Sequence, residues 1–135
     1  MLLNFVQHIE EYIYNRELIY RSILVVKSST ECAKLKHILD KKDYISHIIE
    51  EIDYDVDYND IDCRIIILCP HTFKNFIHHI YNASELKTSS YNFIGFNYSI
   101  DENLVDNMIS LYKTITHDNN TMILDKNYFK GREII

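Results

Sequence analysis

Four short apolar runs, each leading into a turn or an amphipathic stretch, constrain this chain more than any other feature. They are Ser22-Ile23-Leu24-Val25-Val26, Ile65-Ile66-Ile67-Leu68, Phe93-Ile94-Gly95-Phe96 and Met122-Ile123-Leu124. Runs of this length without polar alternation suit strands buried on both faces, as parallel strands are. The first three are each followed by helical periodicity. Ser28-Ser29-Thr30-Glu31 has the spacing of a capping box and opens a helix whose stripe is Cys32, Leu35, Ile38 and Leu39. That helix ends near Lys41-Lys42, cations that suit the negative end of its dipole. Cys69-Pro70-His71-Thr72 is the second turn, leading to Phe73, Phe76, Ile77 and Ile80 on one face. Ser99 is the expected cap of the third helix, with Leu104, Val105, Met108, Leu111, Tyr112 and Ile115 along it. Parallel strands need crossover connections, so this alternation predicts a three-layer α/β domain with a mainly parallel sheet, either RecA-like or flavodoxin-like.

Two segments add to this frame. Over residues 2 to 20, Leu2, Phe5, Val6, Ile9 and Ile13 recur at helical spacing, with Glu10, Glu11 and Arg16 off the stripe, which predicts an N-terminal amphipathic helix. Tyr44 to Ile52 reads as a strand or a helix extension, and Asp53 to Asp62 as an acidic loop. No linker rich in Pro, Gly or Ser interrupts the 135 residues, so a single domain spanning 1–135 is expected. The one internal similarity, residues 23 to 39 against 65 to 81, is what any repeated strand-helix unit produces.

Composition limits the function classes. The net charge of −6 leaves no basic footprint for free nucleic acid. No apolar run approaches the ~20 residues that span a bilayer, and the opening residues lack a basic start or a small-residue cleavage site. A cytosolic or nuclear location, without secretion or membrane contact, is the expectation. Three cysteines, Cys32, Cys63 and Cys69, read as reduced core residues rather than a disulfide framework.

Candidate chemistry is sparse. Asp53, Asp55 and Asp57 fall on the first three ligand positions of an EF-hand loop, but Tyr58 and Arg64 stand where glycine and glutamate are needed. Cys63, Cys69, His71, His78 and His79 do not match zinc-site spacing, and the helical face set by Phe73 and Phe76 explains the histidines as surface residues. Cys69 with His71 at a strand's carboxyl end forms a conceivable nucleophilic pair, but the oxyanion donors such a pair needs cannot be identified. No metal, cofactor or catalytic residue is therefore assigned. Eleven Tyr and six Phe exceed what a small core readily hides. Tyr12, Tyr14 and Tyr20, or Tyr54 and Tyr58 in the acidic segment, are candidates for a protein partner or a homodimer.

Residues 92 to 133 carry a likeness of layout: the strand with Gly95 at its turn, the Ser99-Ile100-Asp101-Glu102 helix start, Tyr112-Lys113, the next strand, and Lys130-Gly131-Arg132-Glu133. This order resembles the second RecA-like lobe of superfamily 2 helicases; its opening motif would be the strand-turn-helix of Ile65 to Tyr81 or, alternatively, that of Ile23 to Leu39, and the resemblance covers at most residues 64 to 133. In that family a threonine, an arginine and an aspartate stand where this chain has Asp125, Lys130 and Glu133. The arginine-finger motif and the G-x-x-x-x-G-K-[ST] loop have no counterpart here. The resemblance thus implies a catalytically incomplete module, a fragment or degenerate copy acting in binding. Its phosphate- or nucleic-acid-contacting residues would be Ser28, Ser29, Lys126, Lys130, Gly131 and Arg132, with weak nucleic-acid affinity at most. The alternative is a stand-alone α/β interaction or adaptor domain. The abundance of Ile, Asn, Lys, Asp and Tyr, all with A/T-rich codons, points to an AT-rich genome such as that of a large DNA virus, a low-GC bacterium or a protozoan parasite.

Overall fold

The computed structural model describes residues 2–56, 58, 65–83, 91–117 and 120–129. The chain runs α1 (Leu2–Ile13), α2 (Arg16–Ile19), β1 (Ser22–Val25), α3 (Ser29–Lys41), β2 (Ser46–Ile48) and β3 (Ile65–Leu68). It continues through α4 (Pro70–Ala83), β4 (Phe93–Phe96), α5 (Glu102–Thr116), β5 (Met122–Leu124) and α6 (Lys126–Phe129). The five strands form one parallel sheet in the order β2-β3-β1-β4-β5. The expected three-layer α/β domain and its N-terminal helix are present. In the flavodoxin-like order, β1 lies between β2 and β3. Here β3 lies between β2 and β1.

Why the helices divide between the two faces follows from the direction of each crossover. From central β1 the chain moves to β2 on one side, whereas β3 to β4 and β4 to β5 move to the other. A fixed crossover hand puts helices of opposite travel on opposite faces. Accordingly Ile23, Val25, Ile66, Leu68, Ile94 and Phe96 pack beneath α4 and α5. Leu24, Val26, Ile65, Ile67, Phe93 and Leu124 pack beneath α1, α3 and α6. The runs of β1, β3 and β4 lack alternation because both faces are covered and every position is buried, whereas the edge strand β5 leaves Met122 45% exposed and Ile123 half-buried. Each fully buried large side chain contributes roughly 1.5–3 kcal/mol of transfer free energy.

Gly95 lies where α1 crosses the sheet. A Cβ built there would sit 3.1 Å from Leu24 Cδ2 and 3.4 Å from Phe5 Cζ, so the missing side chain is what lets the Phe5 ring reach the sheet. Phe5 in turn meets Phe129 of α6 edge to face, with ring centroids 5.6 Å apart. The N-terminal helix is thereby built into the core.

Two local expectations are corrected, and one that was open is decided in favour of the strand. The helix read over residues 2 to 20 breaks at Tyr14, whose φ is 60°, and restarts as α2 with Asn15 as its cap. Tyr44 to Ile52 holds the short edge strand β2 rather than a helix extension. Ser99 does not cap α5, because Asp101 accepts the hydrogen bond from the Asn103 amide, while the Ser99 hydroxyl donates to Asn97 Oδ1 at 2.6 Å. Ser28 does cap α3, its Oγ accepting from the Glu31 amide. No helix among the described residues is long and apolar enough to cross a membrane.

Candidate functional site

All five strands point the same way, so their carboxyl ends and the helix starts that follow them share one edge. In open α/β sheets ligands bind outside that edge, where neighbouring crossovers leave on opposite faces. Here the divergence lies on either side of β1, whose crossover α3 is on one face while α4, after β3, and α5, after β4, are on the other.

Ser28 is half-buried as the α3 cap, and Ser29 is the exposed first residue of that helix. Lys126 is exposed at the start of α6. Because β4 lies between β1 and β5, the two groups are separated by about two strand spacings, roughly 10 Å. They share an edge but do not converge. Lys130, Gly131 and Arg132 lie outside the described residues. Asp125 caps α6: its Oδ1 accepts from the amides of Asn127 and Tyr128 at 3.0 and 3.2 Å.

Between β4 and β5 the edge opens into a small cleft lined by Asn97, Glu102, Asp106, Asp125, Lys126 and Asn127 among others. It encloses about 10 Å³, roughly the space that one bound water requires and far less than a nucleotide needs. Asn97 is fully buried there. Its Oδ1 accepts from the Ser99 amide and hydroxyl, which leaves Nδ2 as a buried donor without a protein acceptor. Larger open grooves of about 560 and 470 Å³ lie beside β2 and between the start of α1 and α3, the second reaching Glu31 in the first turn of α3.

The charge of the edge is acidic. At the strand ends and first helical turns stand Glu31, Glu50, Glu51, Asp101, Glu102 and Asp125, against Lys27 and Lys126, among the described residues. A phosphate would meet net repulsion here, whatever the amides at the α3 start offer.

The acid continues past β2 into a segment with defined partners. The Asp53 amide donates to Tyr58 Oη at 3.0 Å, and the Asp55 amide to Asp53 Oδ1 at 3.0 Å. His79 of α4 bonds the Val56 carbonyl at 2.7 Å. Tyr58 packs edge-on against Phe76 and His79, so it belongs to the support of the segment. Tyr54 also meets His79 edge-on but remains 65% exposed, flanked by exposed Glu50, Glu51, Asp53 and Asp55. Tyr14, 90% exposed, sits at the α1–α2 break, whereas Tyr12 packs on Tyr128 and Tyr20 on Tyr44.

His71 and His78 are exposed and His79 is half-buried. Among the described residues no group of three or more His, Cys, Asp or Glu side chains is placed to hold a metal ion. Cys63 lies outside the described residues. Cys69 has a cysteine neighbour instead: its Sγ is 3.4 Å from Cys32 Sγ, both residues buried. Burial, then the bond to Cys69, then the field of nearby Glu50 and Glu31 push the Cys32 thiol up to about 12. That is the opposite of an activated nucleophile. Sequence reading missed both Asn97 and this cysteine pair. Position on an apolar stripe marked Cys32 as core, but only the adjacency of β1 and β3 brings it to Cys69.

No family model, curated protein or solved structure matches this chain.

Proposed function

We propose that the chain is a non-catalytic α/β binding module with the layout of a helicase second lobe, and that it works by holding a basic surface of a partner protein. The adjacency of β4 and β5 agrees with that layout, although other doubly wound sheets share it. The observation that carries the reading is the acidic segment after β2. Glu50, Glu51, Asp53 and Asp55 surround an exposed Tyr54 on backbone that Tyr58 and His79 hold in place. A positioned aromatic inside a charged rim is the arrangement by which interfaces anchor and select partners. The same acid disfavours phosphate-rich ligands, so a protein partner fits better than nucleic acid.

The test is affinity capture from the source cell at low salt, comparing the wild-type chain with Tyr54→Ala and with Glu50→Lys/Glu51→Lys/Asp53→Lys/Asp55→Lys. The expected result is a basic protein retained by wild type, released by salt and lost with both variants, while Lys34→Ala retains it. Capture that survives both variants overturns the interface. ATP hydrolysis by the purified chain, abolished by changing Lys130 or Arg132, overturns the non-catalytic reading.

A further inference from the structure

We propose that Cys32 and Cys69 form a reversible intramolecular disulfide that ties the first turn of α3 to the junction between β3 and α4. The two residues are far apart in sequence, and the sheet joins them. β1 and β3 pair in register through Val25 and Leu68, and the Val26 amide donates to the Leu68 carbonyl at 3.0 Å, so both chains leave the sheet side by side. One then turns into α3 and the other into α4. The sulfurs meet at 3.4 Å, so an S–S bond of ~2.05 Å needs an approach of only about 1.4 Å shared between two side chains.

Access comes through local opening. Both thiols are buried, at 1% and 4% exposure, but Cys32 lies in the first turn of α3, which Ser28 holds through the Glu31 amide on its Oγ at 3.3 Å and the Cys32 amide on its carbonyl at 2.9 Å. Helix ends open locally at free energies below that of global unfolding. The oxidant is a low-molecular-weight disulfide. One protein thiol, as thiolate, attacks it to form a mixed disulfide and releases one small thiolate, which takes up a proton. The second protein thiol then loses its proton and displaces the other small thiol. Two protein thiols are oxidised by two electrons, and one small disulfide is reduced to two thiols. Cys32 must give up its proton before it can attack, so its raised pKa slows closure of the bond, and the same high pKa makes it a slow leaving group when the bond is attacked again. The bond would stiffen the acidic edge assigned above to partner binding, but the thiol chemistry does not rest on that reading.

The experiment equilibrates the purified full chain in buffers of graded oxidised to reduced glutathione, quenches with acid, alkylates under denaturing conditions and maps peptides by mass spectrometry. The expected result is protection of two of the three cysteines, a linked peptide pair containing Cys32 and Cys69, and a Tm raised by roughly 10 °C over the reduced form. Cys63→Ser should keep the linkage, and Cys32→Ser or Cys69→Ser should lose it. Wild-type mapping decides the matter even if a variant fails to fold. Alkylation of all three thiols at every ratio, or a linkage through Cys63, overturns the proposal.

Discussion

Tyr44 ties together three elements through one side chain. Its hydroxyl donates to Glu10 Oε2 of α1 at 2.9 Å, Lys42 Nζ holds the other Glu10 oxygen at 2.9 Å, and the Arg16 guanidinium lies 4.0 Å from the Tyr44 ring centre. Burial, followed by the bond to Glu10 and its negative charge, raises the phenol from 10 to about 12. A phenol harder to ionise folded than unfolded lends stability that is complete below pH 10 and is lost as pH rises through about 12. Thermal melts should therefore show Tm falling across that window, and Tyr44→Phe should make the fall shallower. Cys32 ionises over an overlapping range, so part of the slope will remain. An unchanged slope in Tyr44→Phe would show that the phenol does not carry this linkage. At Asn97 the expected effect is on stability at neutral pH. Asn97→Ala strips the Ser99 amide and hydroxyl of their acceptor beside a buried site, at a cost of about 1–3 kcal/mol. Denaturant melts of Asn97→Ala, Ser99→Ala and the double variant should be non-additive if the two side chains act as one unit.

The docking of α1 on β4 depends on the absence of a side chain at Gly95. Strand propensity alone favours Gly95→Val, since valine suits a buried strand and glycine weakens one. Packing opposes it, because a Cβ alone already comes within 3.1 Å of Leu24 and 3.4 Å of Phe5. Overpacking costs about 1–3 kcal/mol and should outweigh the propensity gain. Gly95→Val is thus expected to lower stability in urea, and Phe5→Leu in the same chain to recover part of the loss. If Gly95→Val alone proves stabilising, the close approach of α1 is not what the glycine serves. Sequence periodicity found α1 and α3 to α5 because an amphipathic stripe is written within each helix. It could not foresee α6. Four residues are too short for a periodic signal, and α6 exists because Asp125 caps it and Phe129 is fully buried against Phe5.

For the molecule as a unit, the carboxyl edge decides which ligands are accepted. Its acids and the net charge of −6 act in the same direction, so counterion release from bound phosphates, the main source of nucleic-acid affinity, has little to work with. Anisotropy titration of a single-stranded RNA or DNA at physiological salt should give a Kd no tighter than ~10⁻⁴ to 10⁻⁶ M. Nanomolar binding at that salt would mean that Lys126, with Lys130 and Arg132, outweighs the acidic edge.

What the sequence determined by itself is whatever neighbouring residues decide among themselves. The four apolar runs declared strands, three of them covered on both faces, Ser28 with Glu31 declared a helix start, and their alternation declared a parallel three-layer sheet. Those features depend on backbone sterics and periodic burial over a few residues. The remainder depends on which strand lies beside which, and a crossover helix is compatible with several orders. Only the assembled order β2-β3-β1-β4-β5 brings Cys32 to Cys69 and buries Asn97 beside Asp125. Packing of the segment after β2 on α4 likewise decided that Tyr58 is support and Tyr54 surface, two tyrosines that each follow an aspartate in the sequence. Contact between distant residues is a property of the closed structure, and no local pattern along the chain records it.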